Sequence, residues 1–219
     1  MTAVPAWLQP LVTAAPTVSP EDMSRFLPPD DGSGRASAVL IVLGDVPGQG
    51  PSVLLIERAA DMRHHAGQVA FPGGSIDPDD ADEAAAALRE ATEEVGLDPS
   101  SVEVLGVLPA LYIPVTGFVV TPVLAWWHSP HPVAPVDAVE VARAVVVPIA
   151  HLTDPANRFR ATHPSGWLGP GFEVDGLFVW GFTAGLLDRV LELGGWAVPW
   201  DTDARRLLPE RMLPRPATS

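Results

Sequence analysis

The sequence predicts a layered α/β or α+β domain, and three observations carry that expectation. Apolar runs of strand length, SAVLIVLG and PSVLLIE among them, are bounded by turns containing Gly and Pro. Two other segments place apolar residues at helical spacing, so strands and helices mix along one chain. At 219 residues and 47% hydrophobic composition the chain can bury a full core, and one domain suits it better than two.

Taken in order, residues 1–35 are rich in Pro, Ser and Asp and read as an irregular arm that packs in part through Trp7, Leu8, Leu11 and Phe26. SAVLIVLG and PSVLLIE read as two buried strands joined by the turn DVPGQG, which makes a hairpin. QVAF is a short strand stopped by PGG. Asp80 or Asp82 caps a helix that runs to about Val95, with Gly96 as its stop. SVEVLGVLPALYI, GFVVTPVLAWW and EVARAVVVPI read as three further strands, with a helical start over 136–142 as the alternative for the third. ATHPSGWLGPGFEVDG reads as a loop, LFVW as a strand and GFTAGLLDRVLELGG as a helix. The domain proper is expected over residues 36–195, followed by a tail over 196–219 with no structure assigned to it.

Composition narrows the function. The formal charge of −14 opposes sequence-independent binding to nucleic acid, which relies on clustered cations. All 13 basic residues are arginine, so neither a Schiff-base lysine nor a P-loop lysine is possible. Cysteine is absent, which leaves oxygen and imidazole as the main ligands for any metal. No apolar run approaches the roughly 18 residues needed to cross a bilayer, and the first basic residue is Arg25. A cytoplasmic protein with no membrane partner is the expectation.

The most informative stretch is GGSIDPDDADEAAAALREATEEVGL, Gly73 to Leu97. At about 100° per residue, Ala84, Ala85, Leu88, Ala91, Thr92 and Val95 share the face expected to pack. Glu90, Glu93 and Glu94 crowd the opposite side, where like charges repel unless a cation lies among them. A solvated acidic face is the plain alternative. The preceding glycines allow close backbone approach to a ligand, Arg89 can orient a glutamate, and hard divalent ions favour such oxygen donors.

Here the sequence resembles the Nudix hydrolases. REATEEVGL, Arg89 to Leu97, matches the second half of the Nudix box, R-E-U-x-E-E-x-G-U, with Ala91 as a small residue at the first U. The spacing from Gly74 to Arg89 is one residue longer than the general box, and the box's first glutamate falls on Ala81, between Asp80 and Asp82. Upstream, LLIERAADMRHHAGQVAFPGG resembles the signature of the coenzyme A pyrophosphatase branch at Arg58, Ala59, Arg63, Gly67, Phe71, Pro72, Gly73 and Gly74. That branch also carries the extra residue.

The resemblance implies the Nudix fold, a mixed sheet sandwiched between helices, with the box as a loop-helix-loop metal site. It implies that Glu90, Glu93 and Glu94, with the Gly73 carbonyl, bind Mg²⁺ or Mn²⁺, and that one carboxylate acts as general base, without saying which. Glu140 lies where many Nudix proteins supply a further carboxylate, as a fourth ligand or base; a surface glutamate is the alternative. Arg89 completes the catalytic set, and Arg58, Arg63, Gly73 and Gly74 are expected at the substrate. The implied substrate is coenzyme A or acyl-coenzyme A, cut at the diphosphate. The rivals are another nucleoside diphosphate derivative such as ADP-ribose, NADH or a dinucleoside polyphosphate, and a non-catalytic binding module. Homodimers are frequent in the family. His64 and His65 read as surface residues, HSPH at 128–131 lacks further zinc ligands, and Trp126, Trp127, Trp180 and Phe182 read as core.

Overall fold

The computed structural model of the chain describes residues 3–59 and 67–212. The N-terminal arm is helical where an irregular segment was expected: α1 spans Gln9–Ala14 and α2 Pro20–Met23. Ser19 and Asp22 cap α2 reciprocally, and Leu8, Leu11, Ala15 and Met23 are buried. Apolar residues on consecutive short turns therefore anchor the arm to the core. Of the four anchors expected there, Phe26 is exposed and Trp7 packs against Trp196 with ring centroids 5.7 Å apart.

The hairpin follows as β1, Arg35–Val46, and β2, Gly50–Arg58, antiparallel with Leu43 opposite Val53. Short strands β3, Val69–Ala70, and β4, Gly73–Ser75, come next. The PGG sequence thus does more than stop a strand, because Gly73 and Gly74 pair with Val39 and Ala38 of β1. Helix α3, Glu83–Val95, has Asp82 as its N-cap and Gly96 in the left-handed region, φ 67°, as its C-cap. SVEVLGVLPALYI forms two strands, β5, Val102–Val107, and β6, Leu111–Ile113, since Pro109 interrupts the ladder. Both pair with β7, Phe118–Trp127, which runs parallel to β1 from Arg35–Phe118 to Gly44–Trp127. Strand β8, Val141–Pro148, pairs with β2, and no helix forms over 136–142.

The eight strands form one mixed sheet with β3-β2-β1-β7-β5 as its backbone. Alternation of side chains along β1 and β2 supplies both faces. Leu40, Val42, Leu54 and Ile56 face α3 through Ala86, Ala87, Ala91 and Val95. Ile41, Leu43, Val53 and Leu55 face the arm and a helix near the C-terminus, residues 181–193. The expected mixed sheet between helices is what the chain builds.

Short helix α4, Ile149–Thr153, leads to a second sheet of β9, Arg158–Thr162, β10, Leu168–Val174, β11, Leu177–Val179, and β12, Arg205–Leu207. Helix α5, Gly181–Leu193, lies between β11 and β12 in the chain. The segment from Ala161 to Gly176 reads as a loop in the sequence. Gly169 and Gly171 instead lie within β10, where a Cβ would collide with the rings of Trp167 and Phe159. These glycines make room for aromatic packing in a strand. The tail likewise gains structure, since β12 pairs in parallel with β9.

Leu54 is fully buried under α3. Leu54→Ala is expected to lower stability by about 3 kcal/mol, read from the urea midpoint; a loss below about 1 kcal/mol would contradict the packing of α3 on this face.

Candidate active site

The site grows from the contact between α3 and β4. Pairing with β1 brings Gly73 and Gly74 under the helix, and their lack of side chains permits the approach. A Cβ on Gly73 would clash with the Ala38 carbonyl and with Val39, and one on Gly74 would overlap the Glu90 carboxylate. Alanines 86, 87 and 91 keep the helix close to the sheet, and all three are fully buried.

That close packing turns the helix differently from the face expected for it. The buried stripe is Ala86, Ala87, Ala91, Glu94 and Val95, while Thr92 is exposed. It is rotated by roughly 90° toward the glutamates, at about 100° per residue. Glu94 consequently points into the protein, with 6% of its surface exposed. Its Oε2 accepts the Gly73 backbone N–H at 3.0 Å, and its Oε1 lies 3.8 Å from Nη1 of Arg58 at the end of β2. Burial pushes the Glu94 carboxyl up to about 7, and the nearby Glu90 and Glu140 charges act in the same direction; the Gly73 bond and Arg58 oppose the rise. Glu90 is half-buried and also raised, chiefly by burial.

Arg89 holds the outer edge. Its Nε and Nη2 donate to the two oxygens of Asp80 at 3.1 and 3.0 Å, Nη2 also reaches the Ser75 carbonyl at 3.0 Å, and Nη1 reaches Glu90 and Glu93 at 3.1 Å each. Asp80 holds the guanidinium strongly in its charged form, and Arg89 in turn keeps the Asp80 carboxyl below its usual range. The sequence marks Asp80 only by its position beside Ala81, where the box's first glutamate is missing. Glu93 is mostly exposed.

Glu140 is exposed but close by: its carbonyl accepts the Ala59 N–H at 2.9 Å, next to Arg58, and its charge is felt by Glu94. The turn before it is tied to the end of α3 by Ala134 N–H to Val95 and Val136 N–H to Glu94. The structure therefore gathers Arg58, Gly73, Gly74, Arg89, Glu90, Glu93, Glu94 and Glu140 around one helix. Arg63, His64 and His65 lie outside the described residues. His131 is elsewhere, bonded to the Asp98 amide and edge-on to Trp127, and His128 bonds Ser129. Trp126 and Trp127 are core residues.

The carboxylates of the cluster offer only oxygen as metal ligands, which suits a hard divalent ion, and the atoms nearest to where a Gly74 Cβ would lie are those of the Glu90 carboxylate. Among the described residues no three acidic or imidazole side chains converge on one ligation point in this conformation. Arg89 engages Glu90 and Glu93, while Glu94 is turned to Gly73.

Comparison with known proteins identifies the family. The NUDIX domain family matches residues 34–164, and the chain belongs to that family. It is 43% identical over 168 residues to the uncharacterized Nudix hydrolase NudL of Cronobacter sakazakii, covering 73% of this chain and 83% of that one. The NudL of Salmonella newport gives the same identity and coverage. In fold it is similar to the Nudix hydrolase RenU of M. smegmatis, with a TM-score of 0.53 at 23% identity, over 74% of this chain and 86% of that one. No helix among the described residues is long and apolar enough to cross a membrane.

A carboxyl raised from 4.5 to about 7 by folding binds more protons in the native state than in the unfolded state between those values. Its stabilising effect is present in acid and lost as pH rises through about 7. Metal-free protein is expected to lose stability over this interval, and Glu94→Gln to flatten the loss, measured as urea midpoints in a chelator. Equal slopes in both proteins would refute the assignment.

Proposed function

We propose that the protein hydrolyses the diphosphate bond of coenzyme A and acyl-coenzyme A, giving 3′-phosphoadenosine 5′-phosphate and (acyl-)4′-phosphopantetheine. The observation that carries a diphosphate hydrolase is the buried Glu94, held between the Gly73 amide and Arg58. Support for coenzyme A is the pattern Arg58, Ala59, Arg63, Gly67 and Phe71 to Gly74, which resembles the signature of the coenzyme A pyrophosphatase branch.

Hydrolases of this family use divalent ions such as Mg²⁺ or Mn²⁺, and Glu90, Glu93, Glu94 and the Gly73 carbonyl are the residues proposed to hold them. Bound there, the ion supplies charge neutralisation at the diphosphate and acidifies the attacking water. Arg58 presents a guanidinium suited to two phosphate oxygens. It stands close to Glu94, so a phosphate drawn to Arg58 sits beside the carboxylate set. Glu94, raised toward neutrality, and Glu140, exposed at the rim, are the two candidates to take the proton from water. Arg89 positions Glu90 and Glu93, and Asp80 fixes Arg89 from behind.

Two outcomes are expected. Wild-type protein with Mg²⁺ or Mn²⁺ should convert coenzyme A to phosphopantetheine by mass spectrometry, with Glu94→Gln slower by at least about 100-fold. Cleavage of ADP-ribose or NADH in place of coenzyme A would overturn the substrate and leave diphosphate hydrolysis standing; saturable binding without turnover would overturn both. Gly74→Ala, which displaces the Glu90 carboxylate, should weaken Mn²⁺ binding at least about tenfold in a calorimetric titration, and unchanged affinity would remove Glu90 from the ligand set.

A further inference from the structure

Carboxylates outnumber arginines in this chain, 27 to 13, and most described arginines are engaged. Six pair with carboxylates. Arg25 and Arg35 lie over the rings of Phe26 and Phe118. Among the arginines whose side chains are described, Arg160 and Arg205 meet no carboxylate, carbonyl or ring, and they are neighbours. Arg205 of β12 is the parallel register partner of Arg160 of β9, so both side chains leave the same face of the small sheet on strands about 5 Å apart. Thr162 shares that face two residues on. Nε of Arg160 and Oγ1 of Thr162 are both enclosed and find no hydrogen-bond partner.

Two adjacent cations repel, and enclosed polar atoms without partners are unfavourable. The protein has ample carboxylates to answer both, and none among the described residues pairs with either arginine. Arg206, on the opposite face of the same strand, is by contrast paired with Glu173. A tetrahedral dianion answers both deficits, because guanidinium forks and a hydroxyl donate to its oxygens together. β12 is an edge strand of the small sheet, and Arg205 is exposed while Arg160 and Thr162 are part-buried beside it, so a ligand reaches the face from the Arg205 side.

We infer that the face carrying Arg160, Thr162 and Arg205 binds a phosphomonoester group. The site is built on β9 and β12 of the small sheet, whereas Glu94 sits against β4 of the large one. It does not depend on the coenzyme A reading. The phosphomonoester belongs either to the substrate itself or to a separate phosphorylated ligand, free phosphate included.

The test uses metal-free full-length protein titrated with inorganic phosphate and with adenosine 3′,5′-bisphosphate, followed by calorimetry and by the arginine Nε–Hε resonances. Saturable binding that shifts the Arg160 resonance is expected, weakened by at least about tenfold in Arg160→Gln and in Arg205→Gln. Arg205 is exposed on an edge strand, so an unchanged unfolding midpoint for Arg205→Gln separates loss of binding from loss of fold. A raised KM for coenzyme A in Arg205→Gln, with that for ADP-ribose unmoved, identifies the substrate's own phosphate. Phosphate binding with both KM values unmoved identifies a separate ligand. Absence of binding by either probe at millimolar concentration, or equal binding by wild type and both variants, overturns the site.

Discussion

Glu94 takes a carboxylate out of water where α3 crosses the β1–β4 ladder, and the surrounding architecture serves to tolerate it. An ionised carboxylate buried without partners is strongly unfavourable, so it is either protonated or compensated. Among the described residues this one has a single backbone amide and a guanidinium 3.8 Å away, too little to hold it at an ordinary carboxylate value. The imbalance is what a cation corrects. A glycine pair beneath the helix, three alanines against the sheet and an arginine at the strand end follow from keeping that carboxylate close to the backbone and short of partners.

Arg89 works from the opposite side. Its guanidinium is locked to Asp80 through two parallel hydrogen bonds, and its remaining edge orders Glu90 and Glu93. Asp80, next to Ala81 where the box has its first glutamate, is the carboxylate that holds this guanidinium. The charge pattern on α3 is thus graded from the exposed Glu93, through the half-buried Glu90, to the enclosed Glu94.

Much of this was legible in the sequence, because strands buried on both faces, a capped helix and glycines before an acidic helix each have a local signature. What failed was local reading where tertiary contact decided. Periodicity assigned Thr92 to the packed face and Glu94 to the side opposite it, since it presumes that carboxylates avoid the core; Gly73, which receives Glu94, lies 21 residues upstream. The segment holding Gly169 and Gly171 reads as a loop, although the role of these glycines is steric relief for Trp167 and Phe159. Arg160 and Arg205 gave no signal, because only strand pairing across 45 residues sets them side by side.

The parallel ladder between β1 and β7 has a consequence for synthesis. Its register partners Arg35 and Phe118 are 83 residues apart, and the hairpin, β4 and α3 all lie within the loop they close. Contacts of such sequence separation form late, since the entropy of closure precedes their reward. A nascent chain that has just released Leu97 from the ribosome therefore carries the acidic motif together with β1, β2 and β4, which shape it, while the strand that flanks β1 on its other side has still to be made.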